Sequence, residues 1–404
     1  KWGMALTALA GPAANLLLEK HTFKELLADV EQRNLQNNIV GLEASRLFAR
    51  SEINMGVDAF RDSLYAMLKR NTFLNIKFEN MLDTLGEMSR TDLYSYLKEW
   101  EQLTPLPFYS IGEPELTKVV NKGGEEFFVL KVLVSNNSDY DGIIQMNVLQ
   151  NGWWYQPMED PRARKKVEIA AHTSKEFVSV WEEQIRDVEI NTMVSGNLPY
   201  MIRQSIGNVK QERNKIVKDT IYTLPESSLE MPGEVIVDNE DSTLFVLSTP
   251  AVVGLLPKWL DKVEDTSFKY SGISWWRAPL QWTATTNAKY YGKYIRSAYV
   301  IKSGDGSQTA TWKIPVPEAG QYELYYHVFK DDELRWNDRL QGEYHFRVAY
   351  DSEMEDAYIN LRKANEGWEQ LGTYYFSADT VRVVLTDECK LRSVTADAVK
   401  IVKR

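Results

Sequence analysis

The side chains best equipped for chemistry are four histidines, a few paired carboxylates and a cluster of tryptophans. The histidines are His21, His172, His327 and His345, in His-Thr-Phe-Lys, His-Thr-Ser-Lys, His-Val-Phe-Lys and His-Phe-Arg-Val. A zinc hydrolase holds its metal with two histidines one helical turn apart and a glutamate base between them. None of the four has a second histidine four positions on. His327 and His345 fall in alternating strand patterns and read as hydrogen-bonded strand residues rather than ligands. Asp238, Glu240 and Asp241 crowd three carboxylates into one turn. Calcium takes about six to eight oxygens, more than this turn supplies, so a plain acidic turn is expected. Glu353 with Glu355, and Glu366 with Glu369, are carboxylate pairs that nothing in the sequence sets across a glycosidic bond. The single cysteine, Cys389, excludes an intrachain disulfide and a cysteine-rich zinc site, and is expected to be a buried, inert thiol. No catalytic residue, metal or cofactor is assigned to this chain.

The remaining chemistry is binding. Trp275, Trp276 and Trp282, with Arg277 and Gln281 beside them, could form a sugar-stacking platform. An indole covers the apolar face of a pyranose, while amide and guanidinium groups bond its hydroxyls. The alternative is that these rings pin a long loop to a sandwich. Trp336 sits in the polar loop Asp331–Asp338 and is expected to be exposed. Trp312 and Trp368 alternate with polar neighbours and are expected in the core.

These residues need elements to hold them. At 404 residues, two or three domains are expected. Residues 1–107 read as helices, with apolar stripes at Phe23, Leu26 and Leu27, at Phe60, Leu64, Met67 and Leu68, and at Phe78, Leu82 and Leu85. Thr22 with Glu25 fits a capping box, and Ser89 with Asp92 fits one more loosely. Thr104-Pro-Leu-Pro107 stops the helical region. From Phe108 the period becomes two. Phe127–Val134 is expected to pair with Ile143–Leu149 across the turn Asn136–Gly142, and further short strands to residue 206 suggest an immunoglobulin-like sandwich. The charged segment 207–233 reads as a linker, and strands resume from Glu234.

Charge narrows the partners. The net charge of −10 is spread along the chain with no basic face, which argues against nucleic acid. The apolar run Met4–Leu18 is broken by Gly11, Pro12 and Asn15 and is too short to span a bilayer alone. A chain opening on Lys1 looks like a fragment or a processed product.

Two resemblances add to this reading. Ile236-Val-Asp-Asn-Glu-Asp241, Tyr290-Tyr-Gly292, Trp312 before Pro315-Val-Pro-Glu-Ala-Gly-Gln-Tyr322, Trp368 before Leu371-Gly-Thr-Tyr-Tyr-Phe376, and Ala396-Asp-Ala-Val-Lys-Ile401 resemble the golvesin-like module. That module is also described as the xanthan-lyase-associated carbohydrate-binding-like domain. The resemblance implies a jelly-roll-like sandwich on a secreted bacterial protein, in contact with glycan or an envelope protein. Met55-Gly-Val-Asp-Ala-Phe60, Phe78-Glu-Asn-Met-Leu82, Ser89-Arg-Thr-Asp-Leu93 and Trp100 resemble the C-terminal bundle of a gluzincin of the aminopeptidase N family. That family also places a tyrosine three residues before a bundle glycine; with Gly41 as that glycine the position is Asn38, so this catalytic position departs from the pattern.

The expected fold is multidomain α+β: helical bundle (1–107), immunoglobulin-like sandwich (108–206), linker (207–233) and jelly-roll-like sandwich (234–404). The expected function is a non-catalytic, extracytoplasmic C-terminal region of a larger bacterial protein that presents a glycan- or protein-binding module. One alternative is the C-terminal half of a zinc aminopeptidase whose metal site lies upstream. Another is a structural part of an assembly attached to a membrane through its parent protein.

Overall fold

The computed structural model describes residues 13–404 except 30–32, 73, 91, 100, 103–104, 150–159, 215–216, 228, 230–232, 249–268, 271–272, 274–277, 331–341 and 352. Strands take 44% of the chain and helices 21%, so the fold is of a multidomain α+β kind in which β-structure dominates. The sheets are separate and none closes into a barrel. Contacts divide the chain into two compact units, one spanning Leu6–Leu229 and the other containing Glu230–Arg404.

The first unit begins with helices α1 (13–20), α2 (Phe23–Ala28), α3 (Arg33–Met55), α4 (Val57–Arg70), α5 (Phe78–Ser89) and α6 (Leu93–Glu99). Thr22 and Glu25 form the expected capping box at the start of α2. Ser89 does not cap α6. It ends α5, and Asp92 caps α6 alone by accepting from the amides of Tyr94 and Ser95 at 3.1 and 3.2 Å. Gly56 separates α3 from α4 at φ 86°, a left-handed conformation that suits glycine. Leu47, Phe60, Leu82, Leu85 and Leu93 then meet in one apolar cluster. Leu27, Leu68 and Phe78, expected on the inner stripes, are exposed.

The strands that follow are β1 (Tyr109–Ile111), β2 (Glu115–Val120), β3 (Glu126–Asn136), β4 (Gly142–Leu149), β5 (Arg164–Ile169), β6 (Thr173–Trp181), β7 (Asp187–Asn191), β8 (Met201–Ser205), β9 (Val209–Arg213) and β10 (Thr220–Pro225). One sheet runs β10-β6-β3-β2-β9 with β1 also on β3; the other runs β5-β4-β7-β8. Leu130, Val132 and Val134 of the first sheet share a core with Ile144, Met146 and Val148 of the second. The expected β3–β4 hairpin does not form. Both sides of β3 are taken, by β2 and β1 on one and β6 on the other, so the chain crosses to the second sheet. Buried Asn136 holds that crossing by donating to the carbonyls of Tyr140 and Ile169. Residues 207–233, read as linker, contain β9 and β10, which are hydrogen-bonded to β2 and β6. The helices meet the second sheet through Ala49, Ile143 and Met193 and through an ion pair between Glu52 and Lys166.

The second unit contains β11 (Glu234–Val237), β12 (Phe245–Leu247), β13 (Thr283–Thr286), β14 (Ser297–Lys302), β15 (Thr309–Pro315), β16 (Gly320–Val328), β17 (Glu343–Tyr350), β18 (Glu353–Asn360), β19 (Gly367–Phe376), β20 (Thr380–Thr386), β21 (Ser393–Ala396) and β22 (Val399–Lys403). A four-stranded sheet, β11-β22-β16-β19, packs over a five-stranded one, β12-β15-β20-β17-β18. A third sheet of the same unit runs β13-β14-β21. Trp312 is fully buried between the two larger sheets, as expected, and its Nε1 donates to the carbonyl of Asp397 at 3.1 Å. Among the described residues no helix is long and apolar enough to cross a membrane.

Candidate functional site

Strand alternation sorts the four-stranded sheet into two faces. On β16, Tyr322, Leu324, Tyr326 and Val328 point into the core, so Gln321, Glu323, Tyr325 and His327 point out. On β22, Val399 and Ile401 are fully buried, and Lys400 pairs with Tyr325 on the outer side. On β19 the register slips at the Leu324–Tyr325 step, where Leu371 is the extra residue. That bulge reverses the parity of everything before it. Tyr374 and Phe376 therefore point inward while Trp368, also even-numbered, points outward opposite His327. Trp368 is half-buried on the outer face, contrary to its expected place in the core.

The outer face holds a packed aromatic and charged cluster. The Trp368 ring lies 5.1 Å from His327 and 5.0 Å from Tyr291. The Lys400 ammonium lies 4.9 Å from the Trp368 centroid and 5.4 Å from that of Tyr325. It also bonds Glu234 at 2.8 Å. Glu323 accepts from the Tyr325 hydroxyl and from Arg404, which together hold its carboxyl below the usual range. Further along the same face, Tyr375 is 60% exposed, opposite Gln321. Gln370 and Thr373 stand between Trp368 and Tyr375 and are hydrogen-bonded to each other. The face therefore offers flat apolar rings interleaved with amide, hydroxyl and paired ionic groups.

A buried polar layer supports the rings. Asp397 is fully buried, accepts from the Tyr291 amide and contacts His327 Nδ1 at 2.8 Å. Burial pushes its carboxyl up, against the pull of His327. Gly292 follows Tyr291 at φ 149°, with its Cα against the Ile295 carbonyl; a Cβ there would lie 1.9 Å from that oxygen. The acidic turn is consumed locally. Asp241 accepts from the Asp238 amide, and Glu240 accepts from Tyr270 and Ser297 and pairs with Lys269. Among the described residues no group of three or more His, Cys, Asp or Glu could hold a metal ion.

Three members of the other carboxylate pairs are also engaged. Glu355 accepts from Tyr350, Glu366 pairs with Lys289, and Glu369 accepts from the Asn365 amide. His345 stacks on Tyr358 and contacts Asp356 at 2.7 Å. Cys389 packs partly against the core, and burial pushes its thiol up. Of the expected platform, Trp275, Trp276, Arg277 and Trp336 lie outside the described residues. Gln281 is exposed. Trp282 is half-buried and packs against the core of the module. The sequence does not single out Tyr291, Tyr325, Trp368 or Tyr375 as contact residues. The bulge hides the parity of Trp368, Tyr325 and Tyr375 sit among many other tyrosines in strands, and Tyr291 lies in the connection between β13 and β14.

Fold and face together define a β-sandwich module with an aromatic outer surface, carried on a multidomain chain. Residues 276–403 match the family model described as Golvesin C-terminal domain. The chain is similar to the xanthan lyase of Paenibacillus at 16% identity, over 74% of this chain and 27% of that one, with a TM-score of 0.30. It thus spans well under two thirds of that lyase. It is similar to CBM35 from Cellvibrio japonicus Abf62 at 12% identity, over 28% of this chain and 75% of that one, with a TM-score of 0.20. It is also similar to the Podospora anserina GH26-CBM35 β-(1,4)-mannanase at 11% identity, over 43% of this chain and 28% of that one, with a TM-score of 0.22. No curated protein matches the sequence.

Proposed function

We propose that the unit from Glu234 to Arg404 is a jelly-roll-like, glycan-binding module of a larger extracytoplasmic bacterial protein, and that the outer face of its four-stranded sheet is the contact surface. The observation that carries this reading is the alignment of Tyr325, Trp368 and Tyr375 with Gln321, Gln370 and Thr373 on one face. Rings cover the apolar face of a pyranose, and amides and hydroxyls meet its oxygens. The match of residues 276–403 to the Golvesin C-terminal domain supports the choice of module. Trp275, Trp276, Arg277, Gln281 and Trp336, with the accessible part of Trp282, are proposed as a second contact. The role is binding without catalysis. Screening the full chain against immobilised polysaccharides and envelope proteins tests it. Retention by polysaccharide supports the reading, retention by envelope protein alone moves the partner to protein, and no retention overturns it.

The first unit is proposed to be the peptidase-like bundle and immunoglobulin-like sandwich of that parent. The placement of Gly56 between α3 and α4, with Phe60 buried four residues on, supports this. The upstream sequence of the parent is the test. A His-Glu-x-x-His there would make the parent a zinc peptidase, and its absence would leave a scaffold.

A further inference from the structure

We propose that the outer face selects neutral, hydroxyl-rich glycans and rejects acidic ones. The inference rests on the glycan-binding reading above and adds the class of sugar. A uronate or other acidic sugar is held by a cation free to make a charge-assisted bond to its carboxylate. Lys400 and Arg404, the cations on the outer side beside Tyr325 and Trp368, are both committed, and near Tyr291 Lys289 pairs with Glu366 and Arg296 donates to the Ala288 carbonyl. Lys400 bonds Glu234 at 2.8 Å, with the two side chains only 10% and 15% exposed, and it lies over the Trp368 ring. Freeing it would leave Glu234 as an unpaired, largely buried carboxylate, which is costly. Arg404 bonds Glu323 through both Nε and Nη2 at 2.8 Å.

An incoming sugar carboxylate would therefore find both cations already neutralised, and could reach either only by displacing or crowding the carboxylate that holds it, Glu234 or Glu323. The module as a whole carries 25 carboxylates against 21 Lys and Arg, so its long-range field also opposes a polyanion. Hydroxyls face no such penalty. They can donate to the carboxylates and accept from Gln321 and Gln370, while Tyr375 stacks on the ring.

Affinity electrophoresis of the full chain through gels containing galactomannan, mixed-linkage β-glucan or polygalacturonate, at low and high salt, is the test. A neutral polymer is expected to retard the chain equally at both salts, with retardation reduced at least about fivefold in Tyr375→Ala, whose side chain is too exposed to matter for folding. Polygalacturonate is expected to leave mobility unchanged until Glu323→Gln frees Arg404. Salt-sensitive retardation by polygalacturonate in the unmodified chain would overturn the selectivity and leave glycan binding standing. Retardation by none of the three, in a chain retained by no other polysaccharide, would remove the underlying reading as well. Neutral retardation that Tyr375→Ala and Trp368→Ala both leave intact would overturn the assignment to this face.

Discussion

Trp368 and Phe376 lie an even number of residues apart on one strand and face opposite sides of the sheet. In an unbroken strand that spacing would put both on the same face. Leu371 makes the difference, because it is the residue without a partner on β16. The core keeps Phe376 against Tyr322 at 5.9 Å, and the surface gains Trp368 beside Lys400 at 4.9 Å.

Deletion of Leu371 tests that relationship. Taking out the unpaired residue leaves Gln370 opposite Tyr325 and Trp368 opposite His327 in an unbroken register, so both keep the outer face. Glycan retention is expected to persist, with a loss of stability of about 1–3 kcal/mol from the packing of Leu371. Burial of Trp368 in a folded deletion variant, read from its fluorescence, would contradict the pairing.

The two tryptophans should answer differently to truncation. Trp312→Ala empties a fully buried site between sheets and is expected to cost about 3–5 kcal/mol. Trp368→Ala removes a half-buried ring and its contact with Lys400, and is expected to cost about 1 kcal/mol. Urea denaturation of each variant measures both. Equal losses would contradict the assignment of one ring to the core and the other to the surface.

Asp238 gives the module a pH dependence. Burial, followed by the neighbouring Asp397, pushes its carboxyl well above the ordinary value. The folded state therefore holds its proton more tightly than the unfolded chain, whose aspartates titrate at about pH 3.9. This contribution is complete below that value and is lost as pH rises through the folded pKa. Asp238→Asn removes the dependence. Its melting temperature should exceed that of the unmodified chain by a margin that grows from acid to neutral pH. A margin that shrinks with rising pH would contradict this.

His172 works in the same direction in the first unit. Asp139 and Glu226 bracket its ring at 2.8 and 2.7 Å and raise its pKa. Its contribution is present below the unfolded value of about 6.5 and lost as pH rises through the raised folded one. Thermal melts of the unmodified chain and His172→Gln should differ most at about pH 6 and converge by about pH 9. A gap that widens toward alkaline pH would contradict this.

Strands with one buried face are readable from sequence, and elements without one are not. The inward residues of β16 alternate cleanly, and the Thr22–Glu25 pair marks the start of α2 by residue type alone. β9 and β10 are edge strands with mostly exposed side chains, and neither carries an alternating apolar face that would set it apart from a linker. The β3–β4 crossing follows from which edges of β3 are occupied, a nonlocal fact that no local turn signal carries. At the site, Trp-richness draws attention to the loops, whereas the face is built largely from tyrosines and from a tryptophan that a single unpaired residue turns outward.

The most direct test is the affinity of the full chain and of the Trp368→Ala/Tyr375→Ala variant for the polysaccharide that retains the chain best, measured together with their melting curves. The predicted result is at least about a tenfold loss of affinity, equivalent to about 1.4 kcal/mol, with the variant still folded at the assay temperature. Unchanged affinity in the folded variant would contradict the assignment of glycan binding to this face.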